Sequence, residues 1–185
     1  PAAGSTSSPM ALYRVLPWQG ASVIEGQAAL RAWIDVRDGK VTTATTDLAV
    51  RQLTVQFPGT ASPLAVQDLR GRLVTERQTG DRTPRWRLTA TQMGFATADG
   101  VAWPASDWSL ELQPASGGTV GFAGGALQAQ RIDLALLAQL AAQLPLGEAV
   151  RKQLAQAAPS GVVSGLALTW QGPLDAPVRY SAKGQ

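Results

Sequence analysis

The residues of this 185-residue chain that could do chemistry are thirteen aspartates and glutamates, several arginines near a tryptophan, and a cluster of glycines. A glycosidase-type site needs two converging carboxyls, one protonated and one ionised. The spacing nominates no such pair. Asp38 and Asp99 precede glycine in turn signals, Asp133 stands where it would cap a helix, and Glu148 would open another. Asp175 lies in a Gly-Pro-Leu-Asp-Ala-Pro loop, while Asp35, Asp107 and Glu111 fall on the outward parity of strands. The glycine cluster Gly117, Gly118, Gly121, Gly124 and Gly125 lacks the Gly-Lys-Ser/Thr of a phosphate loop and does not open directly into a helix, so it reads as bulge and turn glycines. In Gly161 to Gly165 the serine stands in the wrong place for a nucleophile elbow. The chain has no histidine and no cysteine. That removes the common zinc, haem and iron-sulfur ligand sets and every Ser-His or Cys-His pair. No catalytic residue, metal site or cofactor is expected, and an enzyme is the least favoured reading.

Arg77, Arg82, Arg85 and Arg87 surround Trp86 and could suggest a nucleic-acid surface. Strand parity separates Trp86 from Arg85 and Arg87, whereas a single-strand binder presents rings and cations on one surface. A solvated sheet face explains them better, and no nucleic-acid partner is expected. What remains is a surface function, which directs attention to the elements that build surfaces.

Most of the chain alternates with the period of strands. Ala28, Leu30, Ala32, Ile34 and Val36 share one face of a half-buried strand, with Arg31, Trp33, Asp35 and Arg37 on the other. Asp38-Gly39 signals a hairpin, and a threonine-rich strand returns through Val55. Its phase changes: Leu48 and Val50 share one parity, and Leu53, Val55 and Phe57 the other. A bulge or turn near Arg51-Gln52 is therefore expected. Leu64 to Thr75 is a further strand and Glu76 to Pro84 a charged turn. Trp86, Leu88 and Ala90 then alternate towards a second hairpin at Asp99-Gly100. Trp108, Leu110 and Leu112 follow in strict alternation, then a short strand around Val120 and Phe122, then Leu127 and Ala129. Leu166, Leu168 and Trp170 make another strand, and Val178, Tyr180 and Ala182 begin the last. Between these, about 133-158, lies a helical hairpin. Leu134, Leu137, Leu140 and Leu144 recur at helical spacing, Pro145 and Gly147 interrupt, and Leu146, Val150 and Leu154 make a second stripe before Pro159. About eight to ten strands with short connections predict a mainly β (α+β) fold, a mostly antiparallel sheet interrupted by that hairpin.

A length of 185 residues favours one domain, placed at 10–185 after a Pro, Ala, Gly and Ser-rich linker at 1–9. The formal charge of +3 is a weak basic bias. The longest apolar stretch, Leu134 to Leu146, is too short to cross a bilayer and is broken by Gln139 and Gln143. A start at Pro1, with no signal peptide, suggests a piece of something larger.

Several segments in order carry a resemblance: Gln92-Met93-Gly94-Phe95-Ala96-Thr97-Ala98-Asp99-Gly100-Val101-Ala102-Trp103-Pro104, a glycine-broken strand, Leu127 to Leu134, Leu144-Pro145-Leu146, Pro159-Ser160-Gly161 and Trp170-Gln171-Gly172. Over roughly residues 12 to 184 this pattern resembles an internal piece of the YhdP group of AsmA-like proteins. The resemblance implies a periplasmic protein of Gram-negative bacteria, tethered to the inner membrane through other parts, whose repeated curved β-sheets form an apolar groove. Phospholipids are thought to move along that groove towards the outer membrane, so the implied partners are phospholipid and neighbouring repeats of the same chain. The family supplies no catalytic residues to carry over. A two-chain lipid exposes on the order of 30 methylenes at ~0.8 kcal/mol each, so its transit needs a continuous oily path. Strands ~4.8 Å apart would give this segment a run of ~40 to 50 Å.

Together these readings predict a strongly curved antiparallel sheet forming a groove or half-barrel. Its lipid-contacting face is expected to carry Leu30, Ile34, Trp86, Leu88, Trp108, Leu110, Leu112, Leu166, Leu168 and Trp170. The helical hairpin is expected to pack over one end as a lid or plug. The alternative is a structural or protein-interaction module of a cell-envelope assembly, in which the sheet is a closed core.

Overall fold

The computed structural model describes residues 21–57, 59–78, 85–115, 122–173 and 177–185. Eight strands form one sheet in strict sequence order, each pairing antiparallel with the next. They are β1 (Ser22–Arg37), β2 (Lys40–Gln56), β3 (Leu64–Gln78), β4 (Arg85–Thr97), β5 (Ala102–Pro114), β6 (Phe122–Asp133), β7 (Val162–Gln171) and β8 (Arg179–Lys183). Two helices, α1 (Leu134–Leu140) and α2 (Glu148–Ala157), stand between β6 and β7. Seven gaps at ~4.8 Å give ~34 Å across the sheet, shorter than eight to ten strands suggested.

The turns follow from the residues that make them. Asp38 and Gly39 both take positive φ, +51° and +70°, the conformation a tight two-residue hairpin needs. At the β4–β5 turn the Thr97 hydroxyl donates to the Asp99 carboxylate, and the Val101 amide donates back to Thr97 Oγ1 at 3.0 Å. The phase change in β2 is present: Gln52 sits at φ +54°, and the β1–β2 register shifts between Glu25/Thr54 and Gln27/Arg51. Comparable irregularities interrupt β3 between Val66 and Asp68 and β4 between Ala90 and Met93, where Gln92 takes φ +52°. The Gln92 amide then donates to the Asp107 carboxylate at 2.7 Å.

The helical island opens as its sequence implies. The Asp133 carboxylate accepts from the amides of Ala135 at 3.0 Å and Leu136 at 3.1 Å, satisfying two of the orphan donors of α1. Leu134 also donates to the carbonyl of Gly161 at 3.0 Å, closing the base of the hairpin. α1 stops at Leu140, earlier than the Leu144 spacing suggested, and 141–144 form turns in which Leu144 still donates to Leu140 O. α2 begins at Glu148, so Leu146 precedes it, and Ala158 ends it in a left-handed conformation that donates to Leu154 O.

Four expectations require correction. β1 is not half-buried: every one of its sixteen residues is exposed, because it is the edge strand and no second layer covers it. Glu76 belongs to β3, which extends to Gln78 because Glu76, Arg77 and Gln78 pair with Arg87, Trp86 and Arg85. The strand around Phe122 is not short but runs twelve residues to Asp133. The glycines Gly124 and Gly125 lie inside it rather than in a turn, where the backbone or a ring of β7 approaches closely. The segment 1–9, Arg82, Gly117, Gly118, Val120, Gly121 and Asp175 lie outside the described residues.

Candidate functional site

In an antiparallel sheet directly opposed residues project from the same face, so the register sorts side chains without further assumption. One row runs Ile34, Ala44, Thr75, Leu88, Leu110, Leu127, Leu168 and Ala182, one residue from each strand and no charge among them. The next row is Ala32, Thr46, Leu73, Ala90, Trp108, Ala129 and Leu166. On the other side lie Arg77, Trp86, Leu112, Gly125, Trp170 and Tyr180. Leu30 faces Leu48 on the same surface. All ten residues nominated from the sequence therefore share one face.

Their burial is graded. Leu88 is 0% exposed, Leu112 2% and Trp170 6%; Trp86, Trp108, Leu110, Leu166 and Leu168 are half-buried. Leu30 and Ile34, on the edge strand, are 62% and 51% exposed. Trp33, on the other face of β1, is exposed as well, so the edge strand leaves apolar area open on both sides. Arg77 qualifies the separation of cations from Trp86: it is the register partner of Trp86, and its guanidinium lies 6.0 Å over the ring.

The opposite face is ionic. Arg72 makes two hydrogen bonds to Asp47, at 2.7 and 3.2 Å, and Arg87 donates twice to one oxygen of Glu111, at 2.5 and 3.0 Å. The hydrogen bond from Arg72 holds the Asp47 carboxyl below its ordinary range. These pairs are cross-strand neighbours on a solvated surface, so they support register more than stability.

Gly125 has a specific role that its type alone does not reveal. A Cβ there would lie 2.4 Å from Cζ2 of Trp170 and 2.5 Å from the carbonyl oxygen of Glu111. The indole thus rests against the bare backbone of β6 at Gly125, where it is buried; among the described residues its Nε1 has no hydrogen-bond partner. Alternation finds Trp170, but only the pairing of Gly125 with Trp170 shows what the glycine is for.

The hairpin covers one end of the same face. Leu140, wholly buried, packs in a cluster with Leu64 and Val66, against which Leu53, Phe57, Leu69, Phe95, Val101, Trp103 and Leu144 are laid. Phe95 and Trp103 stack with centroids 5.9 Å apart and planes 2° from parallel. The altered phase of β2 explains this cluster, since the bulge at Gln52 turns Leu53 and Phe57 towards the helix. Sequence reading missed Phe95 and Trp103 as partners of the hairpin; the signal available was their placement on either side of the Asp99-Gly100 turn.

Among the described residues no group of three or more carboxylates, histidines or cysteines is placed to hold a metal ion, and no helix is long and apolar enough to cross a membrane. Comparison with curated proteins and with solved structures returns no match. A family profile described as YhdP protein matches residues 11–185, the segment that contains the whole sheet and its helical hairpin. The chain belongs to the YhdP family.

Proposed function

We propose that this chain is a segment of a periplasmic AsmA-like bridge, in which phospholipid acyl chains lie against the apolar face of the sheet on their way between inner and outer membrane. The observation that carries this reading is the uncharged row from Ile34 to Ala182, which crosses all eight strands without interruption while the opposite face bears ion pairs. Such a row is oriented across the strands. It is the direction in which a lipid would pass from one repeat to the next.

Curvature is part of the proposal and has three supports. The irregularities of β2 and β3 face each other near Gln52 and Gln67, that of β4 near Gln92 lies opposite Gly71, four residues along β3, and bulges bend and twist the strands that carry them. Leu88 and Ala90, in the fourth of eight strands, are wholly buried although the core cluster containing Leu140 lies at the other end of the face. Neighbouring side chains crowd over a residue in this way when a sheet curls. Finally, α1 leaves β6, yet the Ala61 amide in the β2–β3 connection donates to Ala142 at 3.2 Å. Nine residues of helix and turn advance about 12 Å, whereas the three to four flat strand spacings from β6 to the β2–β3 connection are about 14 to 19 Å. Curling of the sheet and the reach of the loop close that gap.

The exposed edge β1, with Leu30 and Ile34 open, is where a neighbouring repeat of the same chain would add its strand. The role needs no reaction, metal or cofactor. It is tested by purifying the protein from envelopes and analysing chloroform extracts by mass spectrometry. Co-purifying phospholipid in stoichiometric amounts is expected; a lipid-free protein with a dry, closed face would favour a purely structural module.

A further inference from the structure

We propose a second lipid contact, resting on the role above: the alanine-lined cleft beneath the helical hairpin receives one phospholipid, an acyl chain against its alanines and the phosphate on Arg151. The cleft has a volume of about 570 Å³, within the range of about 300 to 1,000 Å³ typical of ligand pockets. Its apolar wall is built from three elements, Ala138 of α1 with the following Ala142, Ala155 of α2, and Ala61 of the β2–β3 connection. The hydrogen bond from Ala61 to Ala142 pins two of these walls together.

The mouth carries the charge. Glu148 and Lys152, which also line the cleft, form an exposed i,i+4 pair at 3.0 Å. Arg151 also lines the cleft and is half-buried; its charge helps hold the Glu148 carboxyl low, but among the described residues its guanidinium makes no hydrogen bond or ion pair. A partly desolvated guanidinium presents a planar fork of donors that matches phosphate oxygens. Methyl-lined wall and free fork together suit an amphiphile with an anionic phosphate head better than either a free anion or a neutral hydrocarbon. Position adds to this. Ala141 lines the cleft and is itself buried beside Leu140, whose side chain belongs to the cluster at the end of the sheet's apolar face, so the cleft adjoins that end.

The test uses the complete natural chain in cells labelled with radiophosphate, carrying a photo-crosslinking amino acid at Ala155 or, separately, at Leu110. Labelled phospholipid is expected on both. Arg151→Glu is expected to cut the Ala155 adduct roughly tenfold or more, the size of a lost charge-assisted contact, while sparing that at Leu110. Arg151→Gln, which keeps a good helix former, should do the same if Arg151→Glu unsettles α2, and Arg151→Lys should retain an intermediate yield. An adduct at Leu110 with none at Ala155, or one at Ala155 indifferent to Arg151, overturns the cleft and leaves the bridge role standing. Absence at both positions overturns the role and the cleft with it. If millimolar inorganic phosphate abolishes the Ala155 adduct on purified protein, the site is one for free anions and the phospholipid assignment fails.

Discussion

Gly125→Ala is the substitution whose effect can be worked most directly from the structure. The new methyl would lie 2.4 Å from Cζ2 and 2.6 Å from Cη2 of Trp170, and 2.5 Å from the Glu111 carbonyl oxygen. Carbon atoms pack at about 3.5 to 4.0 Å, so the ring must retreat by about 1 Å or more. The carbonyl cannot retreat alone, because Glu111 sits in the β5–β6 ladder opposite Ala126. Overpacking of this kind costs about 1 to 3 kcal/mol, and two obstacles at once place the cost near the upper end. In a domain of this size a loss of 3 kcal/mol lowers Tm by about 6 to 12 °C. Circular dichroism melts measure that shift, and tryptophan emission should move to the red as Trp170 leaves its buried seat, a change absent in the Trp170→Phe background. A double-mutant cycle isolates the contact: with Trp170→Ala in place, Gly125→Ala should cost at least about 1 kcal/mol less, the remainder belonging to Glu111. Equal costs in both backgrounds and an unmoved emission maximum would refute the claim that the indole rests on Gly125.

Three further outcomes are expected. Asp133→Ala removes the acceptor for two amides of α1 and should lower stability by about 1 kcal/mol in denaturant melts, with Asp133→Asn restoring most of it. Leu140→Ala empties the centre of the cluster under the hairpin and should cost about 2 to 5 kcal/mol, accompanied by faster amide exchange in Leu53 and Phe57, which pack there. The Asp47 carboxyl is held below its ordinary range by Arg72, so this pair adds stability above the unfolded carboxyl's range that is lost as pH falls through the lower, folded value. The stabilities of the wild type and of Arg72→Ala should therefore differ at neutral pH, slightly because both side chains are solvated, and converge as pH falls below the folded carboxyl's range.

Alternation made the apolar face legible because a sheet with one oily surface writes its pleat into the sequence. Immediate neighbours place Leu88 and Leu110 each on that face, and the register sets them directly opposite. The bulge at Gln52 was legible for the same reason: a change of parity has few physical explanations. Burial was not legible. Ile34 and Leu88 look equivalent in alternation, yet one is 51% exposed on an edge and the other fully covered in the middle, a difference set by strand order. The length of α1 was overread because Leu144 keeps helical spacing while donating to Leu140 from a turn. Local pattern groups Arg77 with solvated charges, since its pairing with Trp86 crosses a connection whose register no local pattern encodes. The cleft at Arg151 depends on helices and a distant loop meeting, which alternation does not report.

The central question is whether acyl chains touch the face crossed by Leu110 and Leu168. The direct measurement is photo-crosslinking of phospholipid from a reporter at Trp108, made in the wild type, in Leu110→Asp and in Leu168→Asp, each shown folded by circular dichroism. Strong lipid adducts in the wild type, lost in both aspartate variants, are predicted. Folded proteins with no wild-type adduct, or with adducts that survive both charges, would contradict it.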